Sequence, residues 1–148
     1  MAYFSTGIGR LILSGLLLAC TATKAAAQDA LDITQIEATP GGSVSIMQRG
    51  DNNKVSIEQR AAASALAGGR NSAAISQSGE HNIAGIAQEG TANKGEITQS
   101  GANNQGAIIQ GYGGNASVQQ SGNGLSVTIE QFGAGAPGSM PITVKQAN

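Results

Sequence analysis

Chemistry-bearing side chains are scarce in this chain. Among 148 residues there are one cysteine, one histidine, no tryptophan, 3% aromatic residues and 11% charged residues. A single cysteine cannot close a disulfide within the chain, and with a single histidine it cannot supply the ligand set of a zinc site. His81 stands beside Glu80 between repeats and reads as a solvated turn residue. A hexapeptide-repeat acyltransferase would need a six-residue period around its histidine, and the period here is different. Calcium-binding nonapeptide solenoids need recurrent Gly-x-Asp turns, and Asp51 alone lies in a repeat turn. No block of like charge exists, which removes a nucleic-acid footprint. No apolar run reaches the roughly 20 residues that span a bilayer. The chain is therefore not expected to be an enzyme, and no catalytic, cofactor-binding or metal-binding residue is assigned.

What the chain has instead is period. Asn71, Asn82, Asn93 and Asn104 are spaced by eleven, as are Gln77, Gln88, Gln99 and Gln110. An eleven-residue period can also mark a right-handed coiled coil. Gly79, Gly90 and Gly101 follow their glutamines by two residues, and each would weaken a helix by about 1 kcal/mol. Between glycines the pattern alternates, as in Asn82, Ala84, Ile86, Gln88, which is the signature of a strand with one buried face. Each repeat is one short strand and one tight turn.

Residues 1–27 read as an export signal: Arg10 precedes an apolar run from Leu11 to Ala19, and Ala25, Ala26 and Ala27 form a small-residue cleavage site. An alternative lies inside it, since Leu17, Leu18, Ala19 and Cys20 resemble a lipobox whose cysteine would be acylated. The fold is then expected in residues 28–148, one domain with a net charge of about −3.

An aliphatic residue two before a glutamine marks each strand. It occurs at Ile33 and Gln35, then at Ile46, Ile57, Ile75, Ile86, Ile97, Ile108, Val118 and Ile129 before Gln48, Gln59, Gln77, Gln88, Gln99, Gln110, Gln120 and Gln131, and last at Val144 before Gln146. That gives ten strands. The 18 residues between Gln59 and Gln77 equal one repeat plus a seven-residue insertion, placed in the loop from Arg60 to Arg70. Strands this short cannot bury a face alone and must stack. The expected fold is all-β, a β-solenoid of strand-turn-strand coils of about 22 residues, about five coils, with cross-β stacking. Inward Gln48, Asn53, Gln59, Asn71, Gln77, Asn82, Gln88, Asn93, Gln99, Asn104, Gln110, Gln120 and Gln131 are expected to hydrogen-bond their own kind rung to rung. Both ends are open edges that template another chain unless capped.

Repeats such as Gln77-Ser-Gly-Glu-His-Asn82-Ile-Ala-Gly-Ile-Ala-Gln88 and Gln88-Glu-Gly-Thr-Ala-Asn93-Lys-Gly-Glu-Ile-Thr-Gln99 resemble the curlin repeat, Gln-x-Gly-x-x-Asn followed by a closing Gln. The resemblance runs from about Ala30 to Gln146 and is specific from Asn71 to Gln110. It departs where Leu125 replaces the asparagine, where Gly114 and Asn115 fall out of register, and at 60–70. Curlins are the secreted subunits of curli, the bacterial functional amyloid of biofilm and adhesion. The resemblance implies an extracellular, cell-surface fimbrial subunit that has no cofactor. Its implied partners are itself, the major curlin subunit, a curli-type outer-membrane secretion channel with accessory factors, and the bacterial outer surface. The last strand, Met140, Pro141, Ile142, Thr143, Val144, Lys145 and Gln146, resembles the irregular terminal repeat of the minor, nucleating subunit and is a candidate surface-attachment strand. The major fibre subunit is the alternative, and an ice- or surface-binding solenoid is the alternative of another class, although Thr98 and Thr128 form no regular threonine row.

Overall fold

The computed structural model describes residues 17–22, 30–36, 42–60, 70–133 and 140–148. They form eleven strands: β1 (Leu17–Ala22), β2 (Ala30–Ile36), β3 (Ser43–Arg49), β4 (Lys54–Arg60), β5 (Ser72–Glu80), β6 (Ile83–Glu89), β7 (Lys94–Ala102), β8 (Gln105–Gly111), β9 (Asn115–Asn123), β10 (Ser126–Phe132) and β11 (Ile142–Ala147). Odd-numbered strands make one sheet, in the order β1-β3-β5-β7-β9-β11, and even-numbered strands make the other, β2-β4-β6-β8-β10. Every pairing within the sheets is parallel. The chain therefore winds from one wall to the other and climbs one strand per circuit, as a β-solenoid does.

Alternation decides which atoms face in. In β3, Val44, Ile46 and Gln48 are buried while Ser43, Ser45, Met47 and Arg49 are exposed. The same inward triplet recurs in β4 to β9, with Val55 at its first position in β4 and the smaller Ala73, Ala84, Gly95, Gly106 and Ala116 there in β5 to β9. Ile46, Ile75, Ile97 and Val118 stack along one wall, and Ile57, Ile86, Ile108 and Ile129 along the other. These eight carry the core, at 5% exposure or less. The small first position keeps the walls close, since a Cβ added at Gly95 would lie 3.1 Å from Ile86 Cγ2 and 3.3 Å from Gln88 Nε2.

Glycine is required at the corner that follows the odd strands. Gly50, Gly79, Gly101 and Gly122 all have φ between 110° and 136°, and they stack so that a Cβ on any of the first three would lie 2.0 Å from the carbonyl oxygen of the next. Two residues on, Asn52, His81 and Asn103 take the left-handed conformation, with φ of 57° to 59°. His81 is an exposed turn residue whose backbone N–H donates to the Asp51 carbonyl oxygen at 3.0 Å.

The circuit length is 22 residues from β5 to β7 and 21 from β7 to β9, so turns of about 22 residues number about three, β5–β6, β7–β8 and β9–β10. This is fewer than the five coils of that length expected. The other circuits are longer, 29 residues from β3 to β5 and 26 from β9 to β11, because the extra residues leave at corners while the strands keep register. The excess of seven from β3 to β5 matches the insertion expected at 60–70, of which residues 61–69 lie outside the described residues.

One strand was not expected. Leu17–Ala22 falls within the segment read as an export signal and excluded from the fold, yet its backbone pairs with β3 in the repeat register, Cys20 opposite Ile46 and Ala22 opposite Gln48. The physical reason is general: an open parallel edge accepts any β-capable segment that can reach it. Cleavage after Ala27 would remove β1 and leave β3 as the edge of the odd sheet.

Candidate functional site

The inward amides form continuous columns. In the odd sheet, Gln48 Nε2 donates to Gln77 Oε1 at 3.1 Å, Gln77 to Gln99 at 2.9 Å, Gln99 to Gln120 at 2.8 Å and Gln120 to Gln146 at 3.0 Å. In the even sheet, Gln59 donates to Gln88 at 2.8 Å, Gln88 to Gln110 at 2.9 Å and Gln110 to Gln131 at 3.3 Å. Every donor points toward the C-terminal end. The register that stacks like on like comes from the eleven-residue spacing, because two repeats bring each glutamine back to the same wall one strand higher.

Each amide has a second proton, and the neighbouring wall takes it. Gln77 donates to the Lys54 carbonyl at 3.2 Å, Gln88 to Ser72 at 3.0 Å, Gln99 to Ile83 at 3.1 Å and Gln110 to Lys94 at 3.0 Å. These bonds cross from one sheet to the start of a strand in the other. The glutamines thus tie rung to rung and wall to wall, which is how residues at 1–2% exposure avoid the desolvation cost of an unpaired amide.

Asparagines hold the corners differently. Asn53 Oδ1 accepts from the backbone N–H of Asn82 at 3.1 Å, Asn82 Oδ1 from that of Asn104 at 3.1 Å, and Asn104 Oδ1 from that of Leu125 at 3.0 Å. On the other corner Asn71 Oδ1 accepts from the Asn93 N–H at 3.1 Å, and Asn93 Oδ1 from that of Gly114 at 2.9 Å. The Nδ2 groups donate to the corner carbonyls of Gly79, Gly90, Gly101 and Gly122 at 2.8 to 3.0 Å. Nothing in the repeat pattern announced this clamp on the backbone N–H. Leu125 and Gly114, which break the asparagine pattern, occupy its places and still donate their N–H, but they carry no acceptor for a following rung.

The two ends differ. At the N-terminal side, Gln59 Oε1 is buried and, among the described residues, has no hydrogen-bond partner. The backbone places Gln35 opposite Gln59, at the next position of the column. At the C-terminal side, β11 lies against β9 with Val144 half-buried on the core and Gln146 in its column, while Met140 is 85% exposed and Ile142 and Lys145 are exposed. Pro141 stands just before the strand, where it has no ladder bond to donate. The candidate attachment strand is thus seated on the solenoid as its last rung. Among the described residues no group of three or more His, Cys, Asp or Glu side chains could hold a metal ion.

Searches against family models, curated proteins and solved structures find no match to this chain.

Proposed function

We propose that this chain is a structural subunit of an extracellular cross-β fibre of the curli type, and that it is the minor subunit, which nucleates polymerisation of the major curlin at the cell surface. The observation that carries the reading is the unbroken amide column. It gains one set of hydrogen bonds for every rung added, and among the described residues no helix covers either end. A fold stabilised by its own repetition is more stable as a polymer than as a short monomer. The curlin-like repeat from Asn71 to Gln110 supports the family, and the terminal strand from Met140 to Gln146 supports the nucleating role over that of the major fibre subunit.

The test is direct. Purified protein should form fibres with reflections near 4.7 and 10 Å, and catalytic amounts held at a membrane should shorten the lag of a soluble major curlin. A stable monomer at high concentration, or an unchanged lag, defeats the respective part. Deleting residues 140–148 should release the protein from cells into the medium while fibres still form in vitro.

A second reading has one observation in its favour. Ser78, Ser100 and Ser121 stand in one outward row of the odd sheet, a hydroxyl ladder suited to a flat crystalline surface such as ice. Thermal hysteresis by the monomer would support it over the fibre reading.

A further inference from the structure

The two outer walls are unlike. The odd sheet shows hydroxyls and charges to solvent: Ser76, Ser78, Lys94, Glu96, Thr98 and Ser100 on its central strands. The two central strands of the even sheet show few of either. The outward positions of β6 are Ile83, Gly85, Ala87 and Glu89, and those of β8 are Gln105, Ala107, Ile109 and Gly111. Ile83 is 42% exposed, and Ala87, Ala107 and Ile109 are half-buried. A flat wall with small and branched apolar residues at its centre has no role in the columns inside the solenoid.

We propose that this wall is where a second copy of the chain docks, face to face through the same wall, so that fibres pair laterally. The proposal rests on the fibre reading above. Two features specify the partner and its orientation. The first is charge. β4 presents Lys54, Glu58 and Arg60, with Arg60 paired to Glu58, for a net of one positive charge, and β10 presents Glu130 for one negative charge. A two-fold axis parallel to the strands lays β4 of one copy on β10 of the other, so that opposite net charges meet strand on strand. Position by position, Lys54 faces Ser126, Arg60 faces Phe132 and Glu58 faces Glu130, with Arg60 one outward position away from both acids. An axis along the fibre would instead lay β4 on β4 and β10 on β10, like on like, with Lys54 against Arg60.

The second feature is shape. The strand-parallel axis sets β6 against β8 position by position, because Ile83 pairs with Gln105, Gly85 with Ala107 and Ala87 with Ile109 in the sheet register. Each Ile109 then enters the space left by Ala87, twice per pair, and Gly85 meets Ala107. The fibre-parallel axis would set Ile83 against Glu89. Area adds a further constraint. Seven-residue strands at about 3.3 Å per residue and the four rungs that overlap under this axis, β4, β6, β8 and β10, at about 4.8 Å give roughly 450 Å² per copy, with β2 lying beyond the partner's β10. A pair of monomers falls just short of the ~1,000 Å² of a stable interface. In a fibre the wall repeats with every copy, so fibres pair and monomers do not.

Mass per length measured by scanning transmission electron microscopy reads the outcome. Wild-type fibres should carry twice the mass per length of a single solenoid. Ala87→Lys, at the centre of the wall, should halve it, and Ser76→Lys on the odd sheet should leave it doubled. Because a central lysine also crowds the sheet, Ile109→Ala supplies an independent, uncharged arm. It should halve the mass per length, and adding Ala87→Ile to it should restore the doubling, because the two positions face each other across the pair. Wild-type fibres of single width, or doubled fibres of Ala87→Lys or Ile109→Ala, overturn the pairing while leaving the fibre reading intact. Wild-type protein that forms no fibres overturns both.

Discussion

Replacing Gln88 tests the amide column where its neighbours have least in reserve. Gln88 accepts from Gln59 at 2.8 Å and donates to Gln110 at 2.9 Å and to the Ser72 carbonyl at 3.0 Å. Leucine removes all three bonds while filling most of the volume. Gln59 Nε2 is then left with the Ser43 carbonyl at 3.5 Å, and its Oε1 already has no partner among the described residues. Gln110 Oε1 loses its donor as well. Two buried amides short of partners at about 1 to 3 kcal/mol each give roughly 2 to 6 kcal/mol. Alanine adds a cavity and should cost about 1 kcal/mol more. Glu89→Leu, one residue along and facing solvent, should change stability by no more than about 0.5 kcal/mol. Urea denaturation of the full chain followed by circular dichroism separates these. With a slope of about 1 to 1.5 kcal/mol/M, the midpoint of Gln88→Leu should fall by roughly 1 to 6 M. A midpoint within about 0.3 M of that of Glu89→Leu would show that the columns are incidental to the fold.

Three further outcomes follow from the geometry. Gly101→Ala should lower the urea midpoint far more than Gly124→Ala, because its Cβ would lie 2.0 Å from the Gly122 carbonyl oxygen, whereas nothing lies within 4 Å at Gly124 and only the left-handed penalty of about 1 to 2 kcal/mol remains. Gln99→Glu should be pH-dependent. Burial favours the neutral carboxyl, which can still donate to Gln120, and so raises its folded pKa above the unfolded value of about 4.3. Its stability relative to wild type is then greatest below about pH 4 and is lost as pH rises through the raised value, which urea midpoints at acid and neutral pH would show. Removing residues 1–27 should speed hydrogen exchange in β3, which becomes an edge, and leave β7 unchanged.

Much of this was legible in the sequence, because a solenoid converts linear period into spatial repetition. The inward face of Asn82, Ala84, Ile86 and Gln88 follows from alternation alone, and the partners of Gln99 follow from counting two repeats in either direction. Glycine two residues past a glutamine, as at Gly79, Gly90 and Gly101, marked the corners. The second amide proton was not legible: Gln88 donates to Ser72 across the corner, and no spacing rule names a backbone carbonyl. Nor was the asparagine clamp, since the acceptor is a side chain and the donor is any residue's N–H, including those of Leu125 and Gly114. The added strand at Leu17–Ala22 was hidden for another reason. Its composition suits an export signal, while its pairing depends on an edge that the repeats create.

The end of the asparagine clamp has a mechanical consequence. Within the chain, rungs are gripped at the corners by Asn53, Asn82 and Asn104 on one side and by Asn71 and Asn93 on the other. Past Leu125 and Gly114 that clamp ends, and the last rung is held at its corner by Asn148 instead, whose Oδ1 accepts from the Asn123 N–H at 2.9 Å. Asn148 reaches back into its own chain, so in the fibre proposed above the joint between one copy and the next is held by backbone ladder and glutamine column without the strand-leading asparagine clamp, and it is the weakest plane along the axis. Under shear such a fibre would cleave between subunits and not through them. Its fragments would have lengths in whole multiples of one chain, and each break would expose two intact ends ready to grow again.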